Sequence, residues 1–206
     1  MKRLAITFVL GLSALAIVSA QRAHTSVQPG SAAPSFSLGA ADGKSYNLAE
    51  YKGKYVVLEW TNKDCPYVKK HYGSGNMQKV QKEATAMGAV WLSVISAGPG
   101  YPGYLNSTQA DEYYKNVHSE ATAVLLDPGG KVAKEYGASN TPQIVIVDPA
   151  GKVVYNGAID DKPTPDPDSV KSATNYVIQA LKESMAGKSV SISKTRPYGC
   201  GIHYGG

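Results

Sequence analysis

Residues 54–60 read Lys-Tyr-Val-Val-Leu-Glu-Trp, and Cys65-Pro66 follows a few positions later at the head of a helical stretch. A continuous run of β-branched and aromatic residues suits a strand buried on both faces, which constrains the chain to a sheet covered on each side. A cysteine just past such a strand sits at a helix N-terminus, among unpaired N–H groups and the positive end of the helix dipole, which favours a thiolate. Pro66 fits the first helical position, where its missing N–H costs nothing. Lys63, Lys69 and Lys70 add positive potential and Asp64 opposes it. Cys65 is therefore expected to be a reactive sulfur rather than an inert core thiol.

The rest of the chain supplies the layers. Residues 35–38 and 45–48 alternate around an Asp42-Gly43 turn, as a hairpin does. Residues 89–96, 123–126, 143–147 and 152–155 read as further strands. Helices are expected over 66–72, 76–87, from a Thr108/Asp111 capping box to about 118, and over 131–136. In a final helix, Val170, Ala173, Val177, Ala180, Leu181 and Met185 recur at helical spacing as one buried stripe. Strands alternating with helices, then a hairpin and a helix, predict an α/β fold with a mixed central sheet in a single domain.

The first residues predict export. Lys2 and Arg3 precede an apolar stretch from Ala5 to Val18, and Val18-Ser19-Ala20 offers the small residues of a cleavage site. Residues 1–20 are read as a signal peptide removed after Ala20, residues 21–32 as a flexible leader, 33–187 as the domain and 188–206 as a Gly-rich tail. The expected location is the periplasm or the medium, with no stable membrane span after cleavage, because the apolar run is shorter than the roughly 20 residues a span needs. Loss of Lys2 and Arg3 takes two positive charges from a formal net +5. Only Arg22 and Arg196 then remain as arginines, so the chain lacks the basic stripe of a nucleic-acid partner.

Two cysteines in an exported chain can form one bridge or act as a catalytic thiol with its resolving partner. Cys200 lies 135 positions after Cys65, between Gly199 and Gly201. A static bridge there would stabilise the fold by about 5 kcal/mol in the chain-entropy view. A resolving thiol is the better use, since a staple gains little by joining a loose tail to a helix N-terminus. Copper offers another reading, with Cys65, His71, Cys200 and His203 as ligands. Against it, Cys65 and His71 are not compactly spaced, and the chelate-like gap from Cys200 to His203 lies in a flexible tail.

Several segments in order carry a family resemblance. They are Ala33-Pro34-Ser35-Phe36-Ser37-Leu38 with Asp42-Gly43-Lys44, the run Tyr51 to Trp60, Cys65-Pro66-Tyr67-Val68, Tyr136 to Pro142, and Val147-Asp148 with Gly151 to Tyr155. The chain resembles the thioredoxin-like superfamily, closest to its redoxin branch of peroxiredoxin-like and alkyl-hydroperoxide-reductase-like proteins. The resemblance implies a thioredoxin-like fold with no cofactor. It places Cys65 at the first cysteine of the Cys-x-x-Cys motif, with Val68 where the second would be. It also makes Pro142 the family's cis-proline and gives Thr141 backbone hydrogen bonds for an extended substrate. Cys65 and Cys200 are then the expected catalytic residues, and Thr141, Pro142, Pro66 and Trp60 the expected substrate-binding surface.

The function so implied is thiol–disulfide exchange with protein thiols or disulfides, or with small thiols. A thiol peroxidase is the alternative within enzymes. The peroxiredoxin pattern asks for Thr three residues before the cysteine and for a core arginine, and here Asn62 stands in that place with no arginine between Arg22 and Arg196. A non-enzymatic module that binds copper weakly, or binds a partner, is the alternative outside enzymes.

Overall fold

The computed structural model describes residues 26–204, so the expected signal peptide lies outside the described residues. Strands β1 (Ser37–Gly39) and β2 (Ser45–Asn47) form the small hairpin. Then come β3 (Val56–Trp60), α1 (Pro66–Gly73), α2 (Asn76–Ala86), β4 (Val90–Ile95), α3 (Ser107–Asn116), β5 (Ala123–Leu126) and α4 (Lys131–Tyr136). β6 (Asn140–Thr141), β7 (Gln143–Val147), β8 (Val153–Gly157), α5 (Tyr176–Met185) and β9 (Cys200–Gly201) complete the order.

The central sheet has five strands in the order β5-β4-β3-β7-β8. β3, β4 and β5 run parallel, whereas β7 is antiparallel to β3 and β8 antiparallel to β7. β3 lies at the centre with every residue buried. Its alternate side chains feed two cores. Val57, with Trp91, Ile144 and Ile146, packs under α1, α2, α3 and α5. Val56, Leu58 and Trp60 pack on the other side with Val132, Ala133 and Tyr136 of α4 and with Phe36. At about 1.5–3 kcal/mol for each large apolar side chain buried, these two layers dominate stability.

Four expectations change. Residues 26–32 are not a loose leader. Val27 is buried, its N–H donates to the Tyr136 carbonyl, and the Gly30 N–H donates to Val153, so this stretch closes the outer edge of β8. The capping box of α3 is Asn106 with Gln109 rather than Thr108 with Asp111, because Asn106 reaches the Gln109 N–H at 2.9 Å and the Gln109 side chain returns the bond. The stripe from Val170 to Met185 is broken. Residues Pro167–Ser172 form a 3-10 turn, Ala173 is extended, and α5 starts after an Asn175 cap. Its buried face is Val177, Ile178, Ala180 and Leu181.

The tail also packs along its length. Thr195 Oγ1 accepts the Ala158 N–H, and the Ile202 N–H donates to the Ser139 carbonyl. The glycines flanking Cys200 allow the close backbone approach that their lack of a side chain makes possible. Gly199 has φ +109°, and a Cβ there would fall 2.0 Å from the Thr141 carbonyl oxygen.

Candidate functional site

Cys65 caps the N-terminus of α1 in extended conformation, with Pro66 as the first helical residue. Its N–H donates to the Asn62 carbonyl at 3.1 Å, and its own carbonyl accepts the Lys69 N–H at 2.9 Å. The sulfur points inward and is 2 % exposed. Its thiol donates to the Thr141 carbonyl at 3.1 Å. Thr141 precedes Pro142 through a cis peptide bond, and both residues are buried.

Cys200 reaches the same place from the far end of the chain. β9 pairs antiparallel with β6, in the register Thr141 to Cys200 and Asn140 to Gly201. Both cysteines are free thiols, and Cys200 is close enough to Cys65 for the two to influence each other. Burial pushes the Cys200 thiol up to about 12, helped by its interaction with Cys65. A thiol so raised stays protonated at neutral pH and does not initiate attack.

Expected neighbours fare unequally. Pro66 is exposed beside Cys65. Trp60 presents no exposed surface beside Cys65, although it borders a small cavity with Thr141 and Asn62. Its side chain is fully buried on the opposite side of the sheet, with its ring 5.4 Å from that of Tyr136. A strand buried on both faces gives no alternation from which to read the direction of its last residue. Lys70 does not serve the sulfur either. It is buried, donates to the Lys162 carbonyl at 2.7 Å and lies 3.8 Å from Asp160. Asn62 is committed too, donating to the Pro102 carbonyl and accepting the Asp64 N–H.

Cys65, His71, Cys200 and His203 are not gathered into one metal site among the described residues. Both His71 nitrogens hydrogen-bond to side chains, Nδ1 to Asn76 and Nε2 to Tyr198, and the His203 ring stacks on Tyr101. Among the described residues no three of His, Cys, Asp and Glu are grouped to hold a metal ion.

Two buried carboxylates near α1, Glu59 and Asp160, are absent from the site residues the sequence singles out. Glu59 is fully buried and accepts from Ser93, Trp91, Gln81 and Tyr72. Burial raises its pKa despite those bonds. Asp160, just beyond β8, accepts from Tyr198 of the tail at 2.5 Å. Glu59 stands inside the apolar run, where a lone acid was itself a signal of a satisfied buried group. Asp160 gave no comparable local signal.

A family described as AhpC/TSA matches residues 29–156. The thiol-disulfide oxidoreductase ResA of Bacillus subtilis is 29% identical over 131 residues, which is 58% of this chain and 73% of that protein. Among solved structures, a hypothetical protein from Sinorhizobium meliloti superposes with a TM-score of 0.76 at 23% identity, covering 88% of this chain and 97% of that one. The peroxidoxin BcpB from Mycobacterium tuberculosis gives a TM-score of 0.55 at 16% identity, covering 76% and 97% respectively. At these identities the structures report a shared thioredoxin-like fold.

Proposed function

The chain belongs to the AhpC/TSA family, and from that premise we propose that it is an exported thiol–disulfide oxidoreductase in which Cys65 attacks and Cys200 resolves. The observation that carries the reading is the pairing of Thr141 with Cys200, which sets the second thiol beside the first although the Cys-x-x-Cys position holds Val68. The likeness to the thiol-disulfide oxidoreductase ResA supports the reaction class.

The Cys65 thiolate attacks a substrate disulfide, forms a mixed disulfide and expels one substrate thiolate, which takes a proton from water. Cys200, deprotonated, then attacks the Cys65 sulfur and expels the second thiolate. The protein ends as a disulfide and the substrate as two thiols. Burial keeps Cys200 protonated at first, and the part of that push that comes from Cys65 vanishes once Cys65 is bonded to substrate. Thr141 and Pro142 line the approach, and Pro66 borders it. Protein thiols, or small thiols, are the substrate class.

Export rests on the apolar stretch 5–18 and the small residues at 18–20. Among the described residues no helix is long and apolar enough to cross a membrane.

Mass spectrometry of the protein across a glutathione redox series tests the reading. A Cys65–Cys200 bond that forms and breaks reversibly above about −300 mV is expected. A bond that resists reduction throughout would make it a structural bridge and sink the proposal. Peroxide consumption by Cys65 alone, with no disulfide formed, would favour the peroxidase chemistry instead.

A further inference from the structure

The short strand that carries Cys200 is held at both ends by a tyrosine. On one side Tyr204 donates to the Ala138 carbonyl, with its ring over Gly130 and 5.0 Å from the Lys134 ammonium. On the other, Tyr198 lays its ring 5.6 Å from Tyr67, two residues into the helix that Cys65 caps. Between them Asn140 Nδ2 donates to the Gly199 carbonyl at 3.1 Å. None of these groups is needed for sulfur chemistry.

Beneath Tyr198 lies a closed set of polar groups. The Tyr198 hydroxyl has one proton, and it goes to Asp160 Oδ1 at 2.5 Å. Its oxygen therefore accepts from His71 Nε2 at 3.0 Å, which fixes the tautomer with the proton on Nε2. His71 Nδ1 is then free to accept from Asn76 at 2.8 Å. Burial, with the nearby Lys70 charge, holds the imidazole neutral and its pKa down to about 3. Lys70 faces the same carboxylate and stands 5.3 Å from the centre of the Tyr198 ring. Two buried side chains, His71 of α1 and Asp160 at the β8 exit, thus converge on one hydroxyl of the tail, two residues before Cys200.

We infer that Tyr198 is the positioning residue of a latch: anchored by Asp160 and His71, it holds the tail against Thr141, where the tail both screens Cys65 from an incoming disulfide and presents Cys200 to resolve it. The inference rests on the proposed roles of the two cysteines. Its consequence is a pair of opposite effects. Releasing the latch speeds the first attack, because Cys65 is 2 % exposed under the tail. It slows the second, because Cys200 then has to find Cys65 again.

The full chain reacting with 5,5′-dithiobis(2-nitrobenzoate) separates the two steps. Cys65 displaces one nitrothiobenzoate, and Cys200 displaces the other in a release whose rate does not depend on reagent concentration. Tyr198→Phe keeps the ring and removes both hydrogen bonds. Placed in a Cys200→Ser background it is expected to raise the first rate several-fold. With both cysteines present it is expected to lower the reagent-independent second release by roughly tenfold, the equivalent of one hydrogen bond. Gly199→Ala reaches the same end by another route, pushing the strand off the Thr141 carbonyl while leaving the Tyr198 hydroxyl intact. It should give the same two signs, and it carries the test if the tyrosine variant misfolds.

Both rates falling together, or neither moving, would overturn the latch while leaving the cysteine assignment standing. Absence of any second release from the unaltered protein would remove the resolving role of Cys200 itself, and the latch with it.

Discussion

Glu59 and Asp160 are both carboxylates sealed from solvent beside α1, at 0% and 2% exposure, and they are satisfied in different ways. Glu59 Oε2 takes Ser93 at 2.7 Å, Trp91 at 2.9 Å and Gln81 at 3.3 Å, all neutral donors from β4 and α2. Every partner belongs to the permanent frame. Asp160 accepts through Oδ1 from Tyr198 and from the Lys162 N–H, while its Oδ2 has no hydrogen-bond partner and faces Lys70 at 3.8 Å. Its shortest bond comes from the tail. A buried acid ringed by neutral donors fixes a core, whereas one whose best donor arrives from a separate segment forms a joint.

Breaking the first cluster should cost the most. Glu59→Ala leaves the Trp91 and Ser93 donors without their acceptor and opens a void, for an expected loss of about 5 kcal/mol in urea unfolding. The reagent-independent second release, scored per folded molecule, should stay unchanged if the two clusters are independent.

The second cluster should show itself in acid. The pKa of His71 lies near 3 in the fold against 6.5 for an ordinary histidine, so the unfolded chain binds a proton that the native chain refuses. Stability therefore falls as pH drops below about 6.5, by about 2 kcal/mol on reaching pH 5. Glu59 works with the opposite sign, since its raised pKa lets the native state hold a proton that the unfolded chain has released. The histidine contribution is thus read as the difference between the protein and His71→Gln. Parallel pH dependences in the two would show that the imidazole does not titrate this way.

The smallest effect sharpens the contrast most. Tyr198→Phe should cost only about 1 kcal/mol of global stability. Hydrogen exchange should quicken at residues 195–204 and not in β3 or β4. A uniform increase across the sheet would mean that the tail is as much a part of the core as Glu59 is.

The sequence shows the frame far better than the joint, for a physical reason. Residues 54–60 and 143–147 declare themselves through local apolar runs, and Cys65-Pro66 through the helix start beside them. The β6–β9 pairing has no local signal, because Thr141 and Cys200 are brought together only by the fold. Glycines 199 and 201 signal that the backbone there can approach another group closely, as Gly199 does at Thr141, but they do not say which group. His71, Asp160 and Tyr198 lie far apart along the chain, and each alone is an ordinary polar residue. In the last helical stretch, spacing misled, because Val170 and Ala173 keep the helical period while lying outside α5.

The pairing of β9 with β6 also sets a threshold for partners. A strand tethered to its own docking edge competes at an effective concentration on the order of millimolar. An external peptide that bound the Thr141 edge with weaker affinity than that would rarely displace the tail, whatever the reactivity of its disulfide. Discrimination would then fall before any sulfur is exchanged, on backbone complementarity to an edge that this chain already fills with its own Tyr-Gly-Cys-Gly.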